Sequence, residues 1–133
     1  MKKICIVVSS YNSEITDQLC NTTKDELKNS GVKKFDTVKV PGAFEIPVTI
    51  SRLLKKYDGF IAIACIVKGE TANFDLISKS ITDGIMFLST TAKKPIGNAI
   101  LTCYNKQQAL VRFDRGKEAA KAVISVLKNV SNK

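Results

Sequence analysis

The chain has 133 residues, with 21 Lys and Arg against 12 Asp and Glu and a formal charge of +9. Its 44% hydrophobic and 25% charged content fits one globular domain over 1–133 and excludes a disordered, collagen-like or low-complexity chain. It contains no histidine, so any chemistry must proceed without the side chain that ordinarily titrates near neutral pH.

The opening MKKICIVVSS has two lysines ahead of Ile4–Val8. The apolar run is short for a signal peptide and no small-residue cleavage site follows it. A buried first strand over Ile4–Ser9 and a cytoplasmic address are expected. Ile15, Leu19, Cys20, Thr23 and Leu27 then recur at helical spacing, with Gly31 placed to close that helix. Thr37–Val40 reads as a short strand and Pro41-Gly42 as a turn. Phe44 to Leu54 suggests a helix that tolerates Pro47 only in its first turn.

Gly59–Val67 is apolar throughout, as a central parallel strand should be, and far too short to span a bilayer. Phe74, Ile77, Ile81, Ile85 and Leu88 form one helical stripe. Pro95–Thr102 reads as a fourth strand interrupted by the polar Asn98. A short helical piece over Gln107–Arg112 and an amphipathic helix over Glu118–Lys128 complete the chain. No repeat, linker or composition break divides it. Lysine pairs at 2–3, 33–34, 55–56 and 93–94 fall at expected element ends. No arginine stripe interleaves with aromatics, so a solvated basic surface is expected rather than a nucleic-acid face. The four cysteines at 5, 20, 65 and 103 form no CxxC pair and read as reduced packing residues. Cys103, at a strand end, is the one whose exposure is open.

Strand–helix alternation predicts an α/β fold: a three-layer sandwich with a central four-stranded parallel sheet covered by helices on both faces. Ligands of such sheets bind outside the carboxyl ends of the strands. That selects four loops. Tyr11 and Asn12 offer a ring that can stack on a flat ligand beside an amide. In Pro41–Pro47, Gly42 and Ala43 permit close approach. Glu45 there is either a helix-start charge or a ligand contact. Lys68–Asn73 opens a long helix, whose first amides can receive an anion. It is not a triphosphate-binding Walker sequence. Arg112, among apolar neighbours, is either a surface arginine or a bidentate phosphate clamp.

In order, Tyr11-Asn12, PGAFEIP at 41–47, KGET at 68–71 with FD at 74–75, LT at 101–102, QAL at 108–110, Arg112 and GKEAA at 116–120 resemble the lumazine synthase family. The likeness runs from about residue 4 to about 127. It implies a flavodoxin-like fold and condensation of 5-amino-6-ribitylaminouracil with 3,4-dihydroxy-2-butanone 4-phosphate to 6,7-dimethyl-8-ribityllumazine, a transferase step toward riboflavin. No metal or organic cofactor is implied.

By the same resemblance Tyr11 stacks on the pyrimidine and Asn12 borders its pocket. Ala43, Phe44 and Glu45 hold the ribityl chain and ring edge. Ile66 and Val67 line the ring through their backbone. Gly69, Glu70 and Thr71 bind the phosphate with Arg112. Arg115 falls where relatives carry a lysine, and Glu118 matches an acidic position beside it. The segment between Arg112 and Gly116 is shorter than in relatives.

Two substitutions stand out. Asn73 occupies the place of the family's proton-carrying histidine, and asparagine exchanges no proton at useful pH. Asn98 replaces an aromatic that reaches a neighbouring subunit's site. A slower enzyme is expected; a non-catalytic flavin- or lumazine-binding relative and a riboflavin synthase on the same scaffold are the alternatives. The resemblance also implies a homopentamer with sites between subunits, open to further assembly. About three residues precede the first strand, so no additional N-terminal strand is expected. The expected partners are small-molecule substrates and copies of the chain, with no nucleic acid and no membrane.

Overall fold

The computed structural model describes residues 2–70 and 72–131. Four strands, β1 (Ile4–Ser9), β2 (Phe35–Val40), β3 (Gly59–Val67) and β4 (Ile96–Cys103), alternate with helices α1 (Ser13–Asn29), α2 (Ile46–Leu53), α3 (Phe74–Ala92), α4 (Lys106–Leu110) and α5 (Asp114–Ser131). All the strand pairs are parallel, in the order β2-β1-β3-β4. Every residue of β1 and of β3 is buried, the condition under which a strand carries apolar residues on both faces.

Alternation along these strands divides the core in two. Ile4, Ile6, Val8, Ile61, Ile63, Cys65 and Val67 pack beneath α1 and α5, while Cys5, Val7, Phe60, Ala62, Ala64 and Ile66 pack beneath α2 and α3. This is the three-layer flavodoxin-like sandwich that strand–helix alternation predicts. The chain leaves β1 toward β2 on one side and returns through β3 on the other, so the order reverses between β1 and β3. A crevice opens at such a switch point, outside the strand ends.

Local chemistry accounts for the helix ends. Gly31 takes a left-handed φ of 82° just past α1, and the amides of Ser30, Gly31 and Val32 return to carbonyls of the last turn, so it closes the helix as expected. Pro47 lies in the first turn of α2, where its missing N–H costs nothing. Asn12 and Asn73 both start helices, α1 and α3, in the left-handed conformation at φ 59°. Asparagine is among the few side chains that reach this region readily.

Several elements differ from the sequence reading, α4 among them, which runs over Lys106–Leu110 and stops short of Arg112. β2 begins two residues earlier, at Phe35, because it is an edge strand whose exposed Asp36 and Thr37 hide its period. β4 runs unbroken through Asn98, whose side chain faces out of the sheet. α5 begins at Asp114 rather than near Glu118; Gly116 is a packing residue, not a break. A Cβ at Gly116 would stand 2.3 Å from the Leu19 carbonyl oxygen, so α1 and α5 touch there backbone to backbone.

All four cysteines are free and buried, Cys103 included. Burial, with Cys103 alongside, pushes the Cys65 thiol up to about 12, and burial with the Asp36 charge pushes Cys5 up to about 11. Both stay neutral thiols and act as small apolar groups. No helix among the described residues is long and apolar enough to cross a membrane.

Candidate active site

The loops after β1, β2 and β3 meet at the switch point. The Ser10 amide donates to the Val40 carbonyl at 2.8 Å and the Tyr11 amide to the Pro41 carbonyl at 3.2 Å, which ties the first loop to the second. The Asn12 side chain does not cap its own helix. Its Nδ2 donates to the Cys65 carbonyl at 3.1 Å and to Glu70 Oε1 at 3.2 Å, which ties the first loop to the third. Tyr11 on the first loop and Phe44 on the second are exposed, 54% and 68% respectively. Such exposure of two aromatic rings beside a crevice leaves their faces free to stack on a flat ligand.

Glu45 resolves one open alternative in part. Its Oε1 accepts the Gly42 amide at 2.9 Å, so it does serve a helix start, completing a short turn over Ala43–Glu45. No described residue bonds its second oxygen, which can accept a hydroxyl. Ile66 and Val67 end β3 with side chains on opposite faces, so what they present to the crevice is backbone.

Gly69 is open: a Cβ there would meet nothing within 4 Å. Thr71 lies outside the described residues. Asn73 is exposed and makes no side-chain capping bond among the described residues. The first turn of α3 therefore keeps its amides for an anion.

The remaining candidates gather elsewhere. Asn98 pairs with Ala62, five residues before Val67, so it lies about 16 Å down the strand from the crevice. Leu101, Val111, Arg112, Asp114, Arg115 and Glu118 line a cavity of about 370 Å³ along that outer edge of the sheet. There Arg115 Nε donates to the Asn98 carbonyl at 2.9 Å, and Asn98 Oδ1 accepts the Ile100 amide at 2.9 Å. Both residues thus satisfy the open edge of β4, a use that deters pairing with a foreign strand. Arg112 is exposed and its guanidinium has no partner among the described residues.

The candidate residues therefore fall into two groups on the chain. Tyr11, Asn12, Ala43, Phe44, Glu45, Ile66, Val67, Gly69, Glu70 and Asn73 sit at the switch point. Asn98, Arg112, Arg115 and Glu118 sit on the β4 edge. Sequence reasoning missed one residue that contacts the first group, Lys106. Its Nζ lies 3.2 Å from Glu14 Oε1 and 3.3 Å from Glu70 Oε2. A lysine between polar neighbours in the chain gives no sign of that double contact. Among the described residues no three His, Cys, Asp or Glu side chains come together as a metal-binding group.

The chain is similar in sequence to known proteins. The family model for 6,7-dimethyl-8-ribityllumazine synthase matches residues 1–131. A 6,7-dimethyl-8-ribityllumazine synthase of Albidiferax ferrireducens is 37% identical, over 98% of this chain and 86% of its own length. That of Methylibium petroleiphilum is 37% identical, over 94% and 81%. That of Lactiplantibacillus plantarum is 36% identical, over 96% and 84%.

Proposed function

Because the chain belongs to the 6,7-dimethyl-8-ribityllumazine synthase family, we propose that it condenses 5-amino-6-ribitylaminouracil with 3,4-dihydroxy-2-butanone 4-phosphate, at a site completed by two copies of the chain. The observation that carries this reading is the meeting of the family's loop residues at the switch point of the sheet, with Asn12 joining the first loop to the third. The division into two groups supports the two-copy arrangement. Arg112 and Glu118 lie on an outer edge, where they can serve a neighbour's crevice. A homopentamer is the assembly this reading adopts, formed in the cytoplasm.

The reaction asks little of the protein beyond placement. The pyrimidine's 5-amine attacks the ketone and a water leaves, phosphate is eliminated, and the ribityl-bearing nitrogen then attacks the carbonyl so formed, closing the ring with loss of a second water. Tyr11 and Phe44 sandwich and border the flat ring, and the backbone at Ile66 and Val67 meets its edge. Glu45 accepts ribityl hydroxyls through its second oxygen. Gly69 and the α3 start take the phosphate, and Arg112 of the neighbouring copy clamps it from the other side and stabilises the departing anion. Holding both reactants in reactive orientation supplies much of the acceleration, and fixed donors around the phosphate supply more.

No histidine serves here. Asn73 can orient a water by hydrogen bonding, and water or the substrate phosphate must carry the protons. The reading is tested by incubating the purified protein with both substrates and following lumazine formation. A rate above the uncatalysed reaction is expected. A rate equal to it contradicts the proposal, and tight binding of the lumazine without turnover would instead identify a binding relative.

Asn73→His should raise the rate about tenfold or more, since a positioned general acid–base is worth ~10²–10⁴. The left-handed backbone at this position also accepts histidine. The variant's rate should acquire a limb near pH 6.5 that the parent lacks. An unchanged rate and profile would mean that proton transfer does not limit this enzyme.

A further inference from the structure

The turn between β4 and α4 grips the Lys68–Glu70 segment at two points. Lys68 Nζ stands 5.2 Å from the centre of the Tyr104 ring, within the range of a cation–π contact. Two residues further on, Lys106 Nζ reaches Glu70 Oε2 at 3.3 Å and Glu14 Oε1 at 3.2 Å. The turn is itself braced, since the Tyr104 amide donates to Gln108 Oε1 at 2.7 Å and the Gln108 amide to Asn105 Oδ1 at 3.1 Å. Asn12 holds the other oxygen of Glu70. Gly69, between the two grips, is free of contacts that a Cβ would meet.

We propose that Lys106, with Tyr104, is a positioning residue that clasps Lys68–Glu70 so that the Gly69 backbone is held ready for the substrate phosphate. The inference rests on the function proposed above. Two physical effects combine. Pinning a segment with little packing of its own lowers the ordering cost of binding. The ammonium also balances Glu70, whose carboxylate would otherwise repel a phosphate one residue away.

Lys106 does not stand in for the absent histidine. Glu14 first and then Glu70 hold its amine protonated above the usual lysine range, so it is a fixed charge rather than a proton carrier. Because the ion pairs are at the surface, the effect is modest.

The test compares the full-length protein with Lys106→Met and Lys106→Arg. Steady-state kinetics are measured against each substrate, with amide hydrogen exchange over residues 66–70, with and without inorganic phosphate. In Lys106→Met the KM for the phosphorylated substrate should rise about three- to fivefold. The kcat and the KM for the pyrimidine should stay within twofold. Exchange at Lys68–Glu70 should quicken by a similar factor, and inorganic phosphate should protect those amides less. Lys106→Arg should restore parent behaviour. Unchanged KM and exchange in Lys106→Met, with lumazine still formed, overturn the clasp and leave the proposed function standing. If the parent forms no lumazine the function fails, and the exchange comparison alone decides for or against the clasp.

Discussion

Arg112→Gln is expected to lower lumazine formation by about 10²–10³-fold, the usual cost of removing one donor from a developing anion. The substitution keeps a polar amide on a shorter stem but removes the charge, three of the five N–H donors and the two-pronged fork. Nothing in the fold should notice. Arg112 is exposed, its guanidinium bonds no described residue, and its backbone links to Ala109 and Arg115 survive. Arg112→Lys should recover only part of the rate, because a point charge replaces a planar clamp. The deficit should fall on kcat and on the KM for the phosphorylated substrate, and spare the KM for the pyrimidine. Steady-state kinetics with each substrate varied in turn measure this. A fall of less than about fivefold, below what even a surface pair can supply, would place the phosphate elsewhere.

The second large effect is on stability. Gly116→Val should lower the unfolding free energy by about 3 kcal/mol, and Gly116→Ala by about 1–2 kcal/mol. Two terms oppose each other. Alanine gains up to about 1 kcal/mol over glycine inside a helix. Against that, its Cβ would lie 2.3 Å from the Leu19 carbonyl oxygen, with the Thr22 and Thr23 hydroxyl oxygens 2.5 and 2.6 Å away.

A hydroxyl can rotate away, but a carbonyl in the middle of α1 cannot. Those hydroxyls are also committed, Thr22 to the Leu19 and Phe113 carbonyls and Thr23 to Leu19. The helices must therefore separate, and the clash wins. Gly69→Ala is the matched control and should leave stability unchanged, since its Cβ meets nothing. Chemical denaturation of the three variants beside the parent measures the difference. An unchanged midpoint for Gly116→Val would show that α1 and α5 part without cost.

Much of the fold was legible because burial is written plainly in it. Ile4–Ser9 and Gly59–Val67 are apolar on both faces, and only a central parallel strand asks for that. The less legible elements are those at edges. Phe35-Asp36 opens β2 with an exposed acid, and Asn98 looks like an interruption although it faces outward and satisfies the edge of β4. Gly116 illustrates another limit: a glycine that breaks a helix and one that lets two helices touch look identical until the second helix is in place.

The candidate site divides in the same way. Residues that meet through loops at one end of the sheet could be gathered from their positions after each strand. That Asn98 lies on a different surface follows only from the register of β4 on β3, and that Arg112 joins it there only from the fold of the chain after α4. The double contact of Lys106 arises where the starts of α1 and α4 meet the Lys68–Glu70 segment, which no spacing along the chain encodes.

A catalytic site shared between copies is tested most directly by mixing two defects. Arg112→Gln disables the edge half-site, and Gly69→Asp puts a carboxylate into the phosphate cradle of the crevice half-site, where the open surroundings of Gly69 leave room for it. Each variant alone should form almost no lumazine. Co-expressed in equal amounts and purified together, they should recover about a quarter of the parent activity, because random assembly pairs an intact crevice with an intact neighbouring edge about one time in four. Activity in the mixed assembly no greater than in either variant alone would contradict a shared site and confine the chemistry to a single chain.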